Sequence, residues 1–469
     1  MPNVVLNSSF YKILYGKQAL DNRRSCAIVE NMTQPSSQTE VQALAAQVLL
    51  GLSGERLAAS QMLYRLAVDA GIRVASISQL YQAIADGRVT QPFTVPAVNV
   101  RGLTVLVTTA MFRAAQKHNV GAFIFELARS EMGYTDQPPS VYVPLILAGA
   151  LEAGWTGPVF IQGDHYQAKA ASSGVPAESE LAALRELIRA SLAAGMLNID
   201  IDMSTLVDLE KSTVAEQQVP NVRFTNELVA YIRSLPNGEL VSIGGELGHI
   251  GGKNSTREEC EVFLSQVAGL RKLSIQTGTE HGGVVNADGS LASMQVDFDL
   301  HAELTQFIRS RFGLAGTVQH GASTLPDEAF ATLPIVQAVE VHLATGLQNL
   351  LFDHPAFPAA LSEKFATWIT NTRAADRKEG MSEAQFLYRE RKQVWGSFKQ
   401  QLLELPAEVT DQLSQAVAER MRQFFAWLGV RGTRTLVEKL TTHAAFEPDF
   451  SDHAASLAKD ATITEHLAD

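Results

Sequence analysis

The amino-acid sequence predicts an α/β fold, a (β/α)8 TIM barrel with helical extensions at both ends. Short apolar runs rich in β-forming residues alternate with segments whose apolar residues recur at helical spacing, as in a parallel sheet covered by helices. Eight such runs occur, which is the number of strands in this type of barrel. No Gly-x-Gly-x-x-Gly motif follows the first run, which disfavours the alternative, an open doubly wound sheet.

The eight predicted strands follow one another along the middle of the chain. Each is followed by a helix-like segment or a long loop, and Gly, Pro or polar residues bound most of them. The strands are PFTVPAVNV (92–100), GAFIFELA (121–128), GPVFIQGDH (157–165), MLNIDIDMS (196–204), LVSIGGELG (240–248), KLSIQTGTEHG (272–282), AGTVQHGAS (315–323) and VEVHLATG (339–346).

Three regions follow from this pattern. Residues 1–77 are predicted to form a helical extension, residues 78–360 the barrel, and residues 361–469 a second helical extension. No low-complexity linker separates them, so we expect both extensions to pack against the barrel or a neighbouring subunit. The polar end of the chain is expected to fray.

The composition predicts a cytoplasmic protein that binds neither nucleic acid nor membranes. The chain has 38 basic and 50 acidic side chains, and the net charge of −12 disfavours polyanionic partners. Its two cysteines, Cys26 and Cys260, are too few for a disulfide framework and suit a reducing compartment. No secretory signal and no apolar run of membrane-spanning length are found.

Acidic and imidazole side chains follow five successive predicted strands. Because the active sites of such barrels form at the carboxyl ends of the strands, we expect these side chains to converge at one mouth. Imidazoles suit Zn²⁺, although iron, cobalt and manganese accept the same ligand type. The residues are Asp164 and His165 after the third strand, Asp202 after the fourth, Glu246 after the fifth, His281 after the sixth and His320 after the seventh.

Six short motifs occur in a fixed order within residues 78–360. They are VPAVN (95–99), Asp-His (164–165), IDMS (201–204), GGELGHIGG (244–252), TEHGG (279–283) and QHGAS (319–323). This set resembles the motifs of the class II, metal-dependent fructose-bisphosphate and tagatose-bisphosphate aldolases. Each motif is short, but together and in this order they are a specific signal.

The resemblance implies a role for each matched residue. His165, His281 and His320 would hold the catalytic metal, and Glu246 would be a nearby carboxylate that the metal can visit. Asp164 would exchange a proton with the C4 hydroxyl of the substrate. The residues alone leave a second role for Asp164 open, that of orienting a histidine.

The resemblance also implies the cofactor and the assembly. It implies one catalytic Zn²⁺ per chain, allows a monovalent cation as well, and predicts a homodimer or homotetramer. Substrate-binding candidates are small, polar or basic residues near the expected mouth, where exposed N–H groups and cations suit phosphate. They are Asn99, Lys253, Gly282, Gly283, Gly321, Ser323, Thr345 and Arg389.

Two departures from the family concern the substrate. Lys253-Asn254 follows Gly252, where the family commonly has acidic residues, one of which takes the C3 proton. His342-Leu343-Ala344 replaces the usual Asn-x-Asp of the eighth strand. The phosphate pattern and the stereochemistry of the substrate are therefore the parts of the resemblance that this chain changes.

The candidates for the displaced base are Glu126, Glu258 and Glu259. Ser255 is expected to cap a helix with Glu258 as its capping-box partner, which would leave Glu259 free for catalysis. Residues 249–259 are predicted to form a mobile lid that brings in the base, because glycines flank this segment.

Three functions remain open at this point. The first is the reversible cleavage of fructose 1,6-bisphosphate to dihydroxyacetone phosphate and glyceraldehyde 3-phosphate, a reaction of glycolysis and gluconeogenesis. The second is an aldolase acting on tagatose bisphosphate or another ketose phosphate. The third is a non-catalytic barrel subunit that supports an aldolase, and the retention of Asp164 and the three histidines argues against it.

Overall fold

Eight parallel strands close into a barrel within the residues that the structure describes, which confirms the predicted (β/α)8 fold. The computed structural model describes residues 38–172, 174–248, 253–278, 296–322, 325–441 and 446–451. The strands are β1 (Ile72–Ala75), β2 (Val95–Asn99), β3 (Ile124–Ala128), β4 (Gly157–Gln167), β5 (Ala170–Ser172), β6 (Val175–Pro176), β7 (Asn198–Asp202), β8 (Ser242–Glu246), β9 (Lys272–Ile275), β10 (Thr317–Gln319) and β11 (Glu340–Leu343). The barrel order is β2-β3-β4-β7-β8-β9-β10-β11, and β11 pairs with β2 to close it.

Helices connect the strands of the barrel, and further helices precede and follow the barrel in the sequence. They are α1 (Gln38–Leu50), α2 (Ser53–Asp69), α3 (Ser78–Ala85), α4 (Thr104–Lys117), α5 (Arg129–Thr135), α6 (Pro139–Ala153), α7 (Glu178–Ala194), α8 (Val214–Ser234), α9 (Arg257–Leu264), α10 (Phe298–Phe312), α11 (Asp327–Phe330), α12 (Thr332–Ile335), α13 (Thr345–Phe352), α14 (Ala359–Thr372), α15 (Glu383–Glu390), α16 (Val394–Ser397), α17 (Lys399–Leu403), α18 (Ala407–Trp427) and α19 (Arg434–Leu440). None of these described helices is both long enough and apolar enough to cross a membrane.

The amino-terminal region contributes a strand as well as helices. Strand β1 pairs in parallel with the first half of β4, from Ile72 opposite Gly157 to Ala75 opposite Phe160. Strand β7 pairs with β4 only from Gln162 onwards, so β1 occupies the edge of β4 that precedes this pairing. The region predicted to be a helical extension also adds a ninth strand to the sheet.

Helix α6 explains why α1 and α2 dock on the barrel. Its first twelve residues, PSVYVPLILAGA, are all buried, so this helix has no solvent-facing stripe there. Val141 and Leu145 of α6 pack with Leu44 of α1 and Leu63 of α2 in an apolar cluster outside the barrel. Without these two helices the outer face of α6 would be exposed to water, which burial of apolar area disfavours.

The carboxyl-terminal region covers the end of the barrel at which β2 stops. Trp395, the second residue of α16, packs on Gly102, where a Cβ atom would lie 2.0 Å from Cε3 of the indole. The indole Nε1 of Trp395 donates a hydrogen bond to Oε1 of Gln348 on α13 at 3.1 Å. This region is thus fixed to the loop that follows β2 and to α13, the helix that follows β11.

Candidate active site

A bulge near the end of β4 positions the first two candidate residues. The pairing of β4 with β7 shifts register between Gly163 and Tyr166, which brackets Asp164 and His165. His165 has φ of 42°, a left-handed conformation that is uncommon for residues other than glycine. Bulges re-aim side chains, and strain of this kind, about 1–3 kcal/mol, is concentrated at functional sites.

His165 and His320 lie together in the barrel interior. Their ring centroids are 4.3 Å apart, and both residues are almost completely buried. Ligand atoms of Asp164, His165 and His320 form one group in which all atoms lie within 4.8 Å of one another. Ser274 on β9 contacts Nε2 of His320 through its Oγ at 2.9 Å and so orients this ring. His281, the third predicted imidazole ligand, lies outside the described residues.

Two carboxylates approach the other side of the His165 ring. Nδ1 of His165 is 3.2 Å from Oδ2 of Asp202 and 3.1 Å from Oε2 of Glu246. The backbone N–H and the hydroxyl of Ser204 both donate to Oδ1 of Asp202, which fixes this carboxylate. Burial, together with the charge of Asp202, raises the pKa of Glu246 to about 7.

These donors suit a divalent metal ion. Oε1 of Glu246 is buried and has no hydrogen-bond partner within the described part of the chain. A buried carboxylate oxygen without a partner is unfavourable unless a cation or a ligand satisfies it. Imidazole and carboxylate groups at this spacing are ligands that Zn²⁺ and related ions accept.

Asp164 is held as an ionised carboxylate. Its Oδ2 accepts a hydrogen bond from Nδ2 of Asn99 at 3.1 Å, and its Oδ1 lies 3.1 Å from Nδ1 of His342. Burial alone would raise the pKa of Asp164, but the imidazoles of His165 and His342 outweigh it and lower the pKa below the usual carboxyl range. An ionised carboxylate in this position can accept a proton.

A buried polar network that includes Asn99 and Thr345 joins the ends of β2 and β11. Nδ2 of Asn99 donates to Oε2 of Glu131 at 2.7 Å. The guanidinium of Arg101 donates through Nε to Oε1 of Glu131 at 2.6 Å and through Nη1 to Oγ1 of Thr345 at 3.2 Å. Neither Arg101 nor Glu131 was predicted from the sequence as a site residue. The one feature of the sequence that could have indicated Arg101 is its charge, two positions after Asn99 at the end of a predicted strand.

Several charged residues also point into the barrel interior. Nζ of Lys272 donates to Oδ2 of Asp200 at 2.8 Å, and it bonds to Glu340 as well. Burial alone would lower the pKa of Lys272, but the two carboxylates raise it, so its amine stays charged. Glu126, a predicted catalytic residue, accepts a hydrogen bond from Nε2 of Gln162 at 2.7 Å, and burial raises its pKa well above the usual value.

Comparison with known families now identifies the barrel. The family profile described as "Fructose-bisphosphate aldolase class-II" matches residues 80–433. The chain belongs to this family. The match continues past the predicted barrel boundary at residue 360, so most of the carboxyl-terminal helices belong to the class II aldolase region. No curated protein sequence matches the chain.

Several solved structures are similar to this class II aldolase barrel at low sequence identity. A probable tagatose 6 phosphate kinase from Sinorhizobium meliloti 1021 is 15% identical, with a TM-score of 0.50 over 71% of this chain and 100% of that one. A fructose-bisphosphate aldolase from Campylobacter jejuni is 16% identical, with a TM-score of 0.47 over 77% and 97%. The YdjI aldolase from Escherichia coli K12 is 17% identical, with a TM-score of 0.45 over 77% and 99%.

The predicted helix cap after β8 is wrong by one residue. Thr256, not Ser255, is the N-cap of α9, and Glu259, not Glu258, is its capping-box partner. Oε2 of Glu259 accepts from the backbone N–H of Thr256 at 2.7 Å and from its hydroxyl at 3.0 Å. Ser255 is unavailable because its Oγ accepts a hydrogen bond from the backbone N–H of Gln276 at 2.9 Å. Glu259 therefore has the capping role that the local sequence predicts for Glu258.

The other predicted substrate-binding residues are spread over several loops. Gly321 follows His320 with φ of 64°, and Lys253 is exposed before α9. Arg389 lies on α15 with its Nε 3.5 Å from Oε1 of Glu390. Gly282, Gly283, Ser323 and the first part of the predicted lid lie outside the described residues.

Proposed function

We propose that the protein is a metal-dependent aldolase that reversibly cleaves fructose 1,6-bisphosphate to dihydroxyacetone phosphate and glyceraldehyde 3-phosphate. The observation that carries this proposal is the group formed by Asp164, His165 and His320 at the carboxyl ends of β4 and β10. Active sites of TIM barrels form at this end. Family membership supports aldolase chemistry, and the substrate is the proposed part.

Zn²⁺ is the proposed cofactor, one ion for the catalytic site. His165, His281 and His320 would hold it, with Glu246 within reach of His165. The unpartnered buried oxygen of Glu246 and the short separation of the two described imidazoles support this ligand set. When bound, such an ion acts as a Lewis acid that polarises the substrate carbonyl.

Asp164 is proposed to move the proton of the C4 hydroxyl. In cleavage, its carboxylate accepts this proton while the C3–C4 bond breaks and C4 becomes the aldehyde carbon. In condensation, the same group returns the proton to the new hydroxyl. The hydrogen bond from Asn99 supports the role, because it fixes the orientation of the carboxylate without neutralising it.

Glu126 is the better-supported candidate for proton transfer at C3. Glu259 is bound to the first turn of its own helix, whereas Glu126 lies in the barrel interior, 3.2 Å from the His342 that contacts Asp164. Burial raises the pKa of Glu126, so this group can carry a proton near neutral pH. In cleavage it would donate that proton to C3 of the departing ketone.

Substrate binding is proposed to involve Asn99, Thr345 and Gly321 at the mouth. Arg389 and Lys253 are proposed as outer cations for a phosphate group, together with Gly282, Gly283 and Ser323 beyond the described ranges. The Arg101 bond to Thr345 supports the assignment of Thr345, because it fixes this hydroxyl at the end of β11. A homodimer or homotetramer in the cytoplasm remains the proposed biological form.

A metal-replete activity screen tests the proposed function. The full chain, loaded with Zn²⁺, is assayed for release of dihydroxyacetone phosphate from fructose 1,6-bisphosphate, tagatose 1,6-bisphosphate and fructose 1-phosphate. Preference for the first substrate, abolished by a chelator and restored by Zn²⁺, supports the proposal. Preference for tagatose 1,6-bisphosphate would keep the aldolase activity and replace fructose 1,6-bisphosphate as the proposed substrate. No cleavage of any of them would contradict the proposal and favour the non-catalytic subunit.

A further inference from the structure

Gln167, the last residue of β4, is a buried residue whose side-chain polar atoms are not used by the fold. It is 1% exposed, and neither Oε1 nor Nε2 of its carboxamide has a hydrogen-bond partner within the described part of the chain. Its backbone, in contrast, is engaged, because its carbonyl oxygen accepts a hydrogen bond from Nη1 of Arg129 at 3.2 Å. A buried carboxamide without a partner is unfavourable unless a group from outside the chain satisfies it.

The register of the sheet places this carboxamide on the inner side of the barrel. After the bulge in β4, Gln167 lies opposite Asp202 of β7, and residues opposite each other in parallel strands project to the same face. Asp202 points inwards, to Nδ1 of His165. Tyr166 projects to the other face, where its hydroxyl contacts Oγ of Ser191 on helix α7. Gln167 therefore projects into the mouth of the barrel, beside Asp202.

The charges around Gln167 favour a hydroxyl group over a phosphate as its ligand. Asp202 is its neighbour on β7, and Glu246 ends the next strand, β8, so two carboxylates border this side of the mouth. Arg129, which contacts the backbone of Gln167, is paired with Glu180 at 2.7 Å. A carboxamide has one acceptor oxygen and two N–H donors, which match a hydroxyl that both donates and accepts. The group that fits this position is therefore a sugar hydroxyl.

The order of residues along β4 indicates which hydroxyl this is, an assignment that rests on the proposed function. Gln162 lies opposite Glu126, the group proposed for proton transfer at C3. Asp164, proposed for the C4 hydroxyl, follows Gln162 along β4, and Gln167 comes after it at the carboxyl end of the strand. The groups for C3 and C4 thus follow one another towards the mouth, and the next group in this direction meets the carbon that follows C4.

We propose that the carboxamide of Gln167 binds the C5 hydroxyl of the ketose substrate. In the condensation direction this group selects an aldehyde that carries a hydroxyl next to its carbonyl, as glyceraldehyde 3-phosphate does. An aldehyde without this hydroxyl leaves the buried carboxamide unpaired in the complex. Sites built to hydrogen-bond a substrate hydroxyl discriminate against the analogue that lacks it for this reason.

Condensation kinetics with two aldehydes test the proposal. The full-length protein, loaded with Zn²⁺, combines dihydroxyacetone phosphate with glyceraldehyde 3-phosphate or with 3-oxopropyl phosphate, which lacks only the hydroxyl in question. The wild type should prefer the first aldehyde by roughly 10–100-fold in kcat/KM, and Gln167→Met should reduce this preference to less than about threefold. Gln218→Met is the matched control and should keep the preference, because Gln218 is also 1% exposed but accepts a hydrogen bond from Nδ2 of Asn221 on its own helix.

Urea denaturation of the ligand-free protein separates a ligand-binding glutamine from a structural one. Because the carboxamide of Gln167 has no hydrogen-bond partner in the described chain, Gln167→Met should unfold at the same urea concentration as the wild type or at a higher one. A clear loss of stability, including failure of the variant to fold, would overturn the proposal, since it would mean that the carboxamide serves the fold. An unchanged aldehyde preference in the folded variant would overturn it as well.

A separate result would reject the proposed function. If the wild type condenses neither aldehyde, the aldolase activity fails, and calorimetry then tests Gln167 without it. Fructose 1,6-bisphosphate and its 5-deoxy analogue are titrated into the Zn²⁺-loaded wild type and Gln167→Met. Tighter binding of the hydroxylated sugar by the wild type alone would uphold the role of Gln167. The same preference in both proteins, or no binding of either sugar, would overturn it.

Discussion

At the scale of single residues, Asp164 combines the features that a proton-transferring carboxylate needs. It lies in a bulge at the end of β4, its Oδ2 is fixed by Asn99, and neighbouring imidazoles keep it ionised although it is buried. The sequence alone left a second reading open, in which Asp164 only orients a histidine. Its Oδ1 is 3.7 Å from Nε2 of His165, so Asp164 is close enough to orient this histidine as well as to transfer a proton. Measurements of enzymatic activity distinguish the two roles.

The substitution Asp164→Asn removes the charge and keeps the shape. We expect kcat to fall by about 10²–10⁴, the usual contribution of a general acid–base group, while the protein still binds Zn²⁺ at the His165–His320 site. Steady-state cleavage rates at one equivalent of added Zn²⁺ measure this. Asp353→Asn, on an exposed carboxylate paired with Arg391, is the control and should keep the wild-type rate. A fall of less than about tenfold would assign Asp164 an orienting role.

At the scale of elements, the start of α9 shows how a single hydrogen bond fixes a helix boundary. Ser255 bonds to Gln276 at the end of β9 in both directions, through its N–H and through its hydroxyl. The N-cap therefore lies one residue later than predicted, at Thr256, and the capping-box role passes from Glu258 to Glu259. The shift also changes which glutamate is available for catalysis.

The substitution Glu259→Ala should act on stability and not on catalysis. Loss of the capping box is expected to lower the free energy of unfolding by about 1 kcal/mol, as measured by urea denaturation. Glu258→Ala is the matched control, because Glu258 lies in the same first turn outside the capping box, and its effect should be smaller. A large fall in kcat for folded Glu259→Ala would return this residue to the list of catalytic candidates.

At the scale of the whole molecule, the two extensions complete the barrel in different ways. Helices α1 and α2, with β1, cover α6 and the first half of β4. The carboxyl-terminal region covers the loop after β2 and helix α13 after β11, through the contacts of Trp395 with Gly102 and Gln348. Arg101 lies in the loop after β2 and immediately precedes Gly102. The contact of Gly102 with Trp395 therefore helps to position Arg101, whose hydrogen bonds hold the network of Asn99 and Thr345.

The substitution Gly102→Ala tests this coupling. Its Cβ would overlap the indole of Trp395, and overpacking of this kind costs about 1–3 kcal/mol of unfolding free energy. We expect lower stability together with a raised KM, because the segment that holds Arg101 and Thr345 is displaced. Gly54→Ala is the control, since its Cβ would meet no atom within 4 Å and alanine favours a helix. Unchanged KM and stability in Gly102→Ala would show that the contact is dispensable.

The sequence by itself determined the barrel and the position of its site. Eight apolar runs became eight barrel strands, because strands buried on both faces need continuous apolar residues and such runs are visible in one dimension. Asp164, His165 and His320 could be placed at one mouth for a similar reason: parallel strands put their carboxyl ends on the same side.

Only the tertiary structure decided which polar side chains meet inside the barrel. Glu126, Lys272, Glu340 and His342 lie on three different strands, and each stands within or at the start of an apolar run in the sequence. Their contacts depend on the register and closure of the sheet, which spacing along the chain does not encode. The helix cap followed the same principle: the local sequence predicted Ser255, and a hydrogen bond from Gln276, twenty-one residues away along the chain, engages Ser255 and leaves the capping role to Thr256.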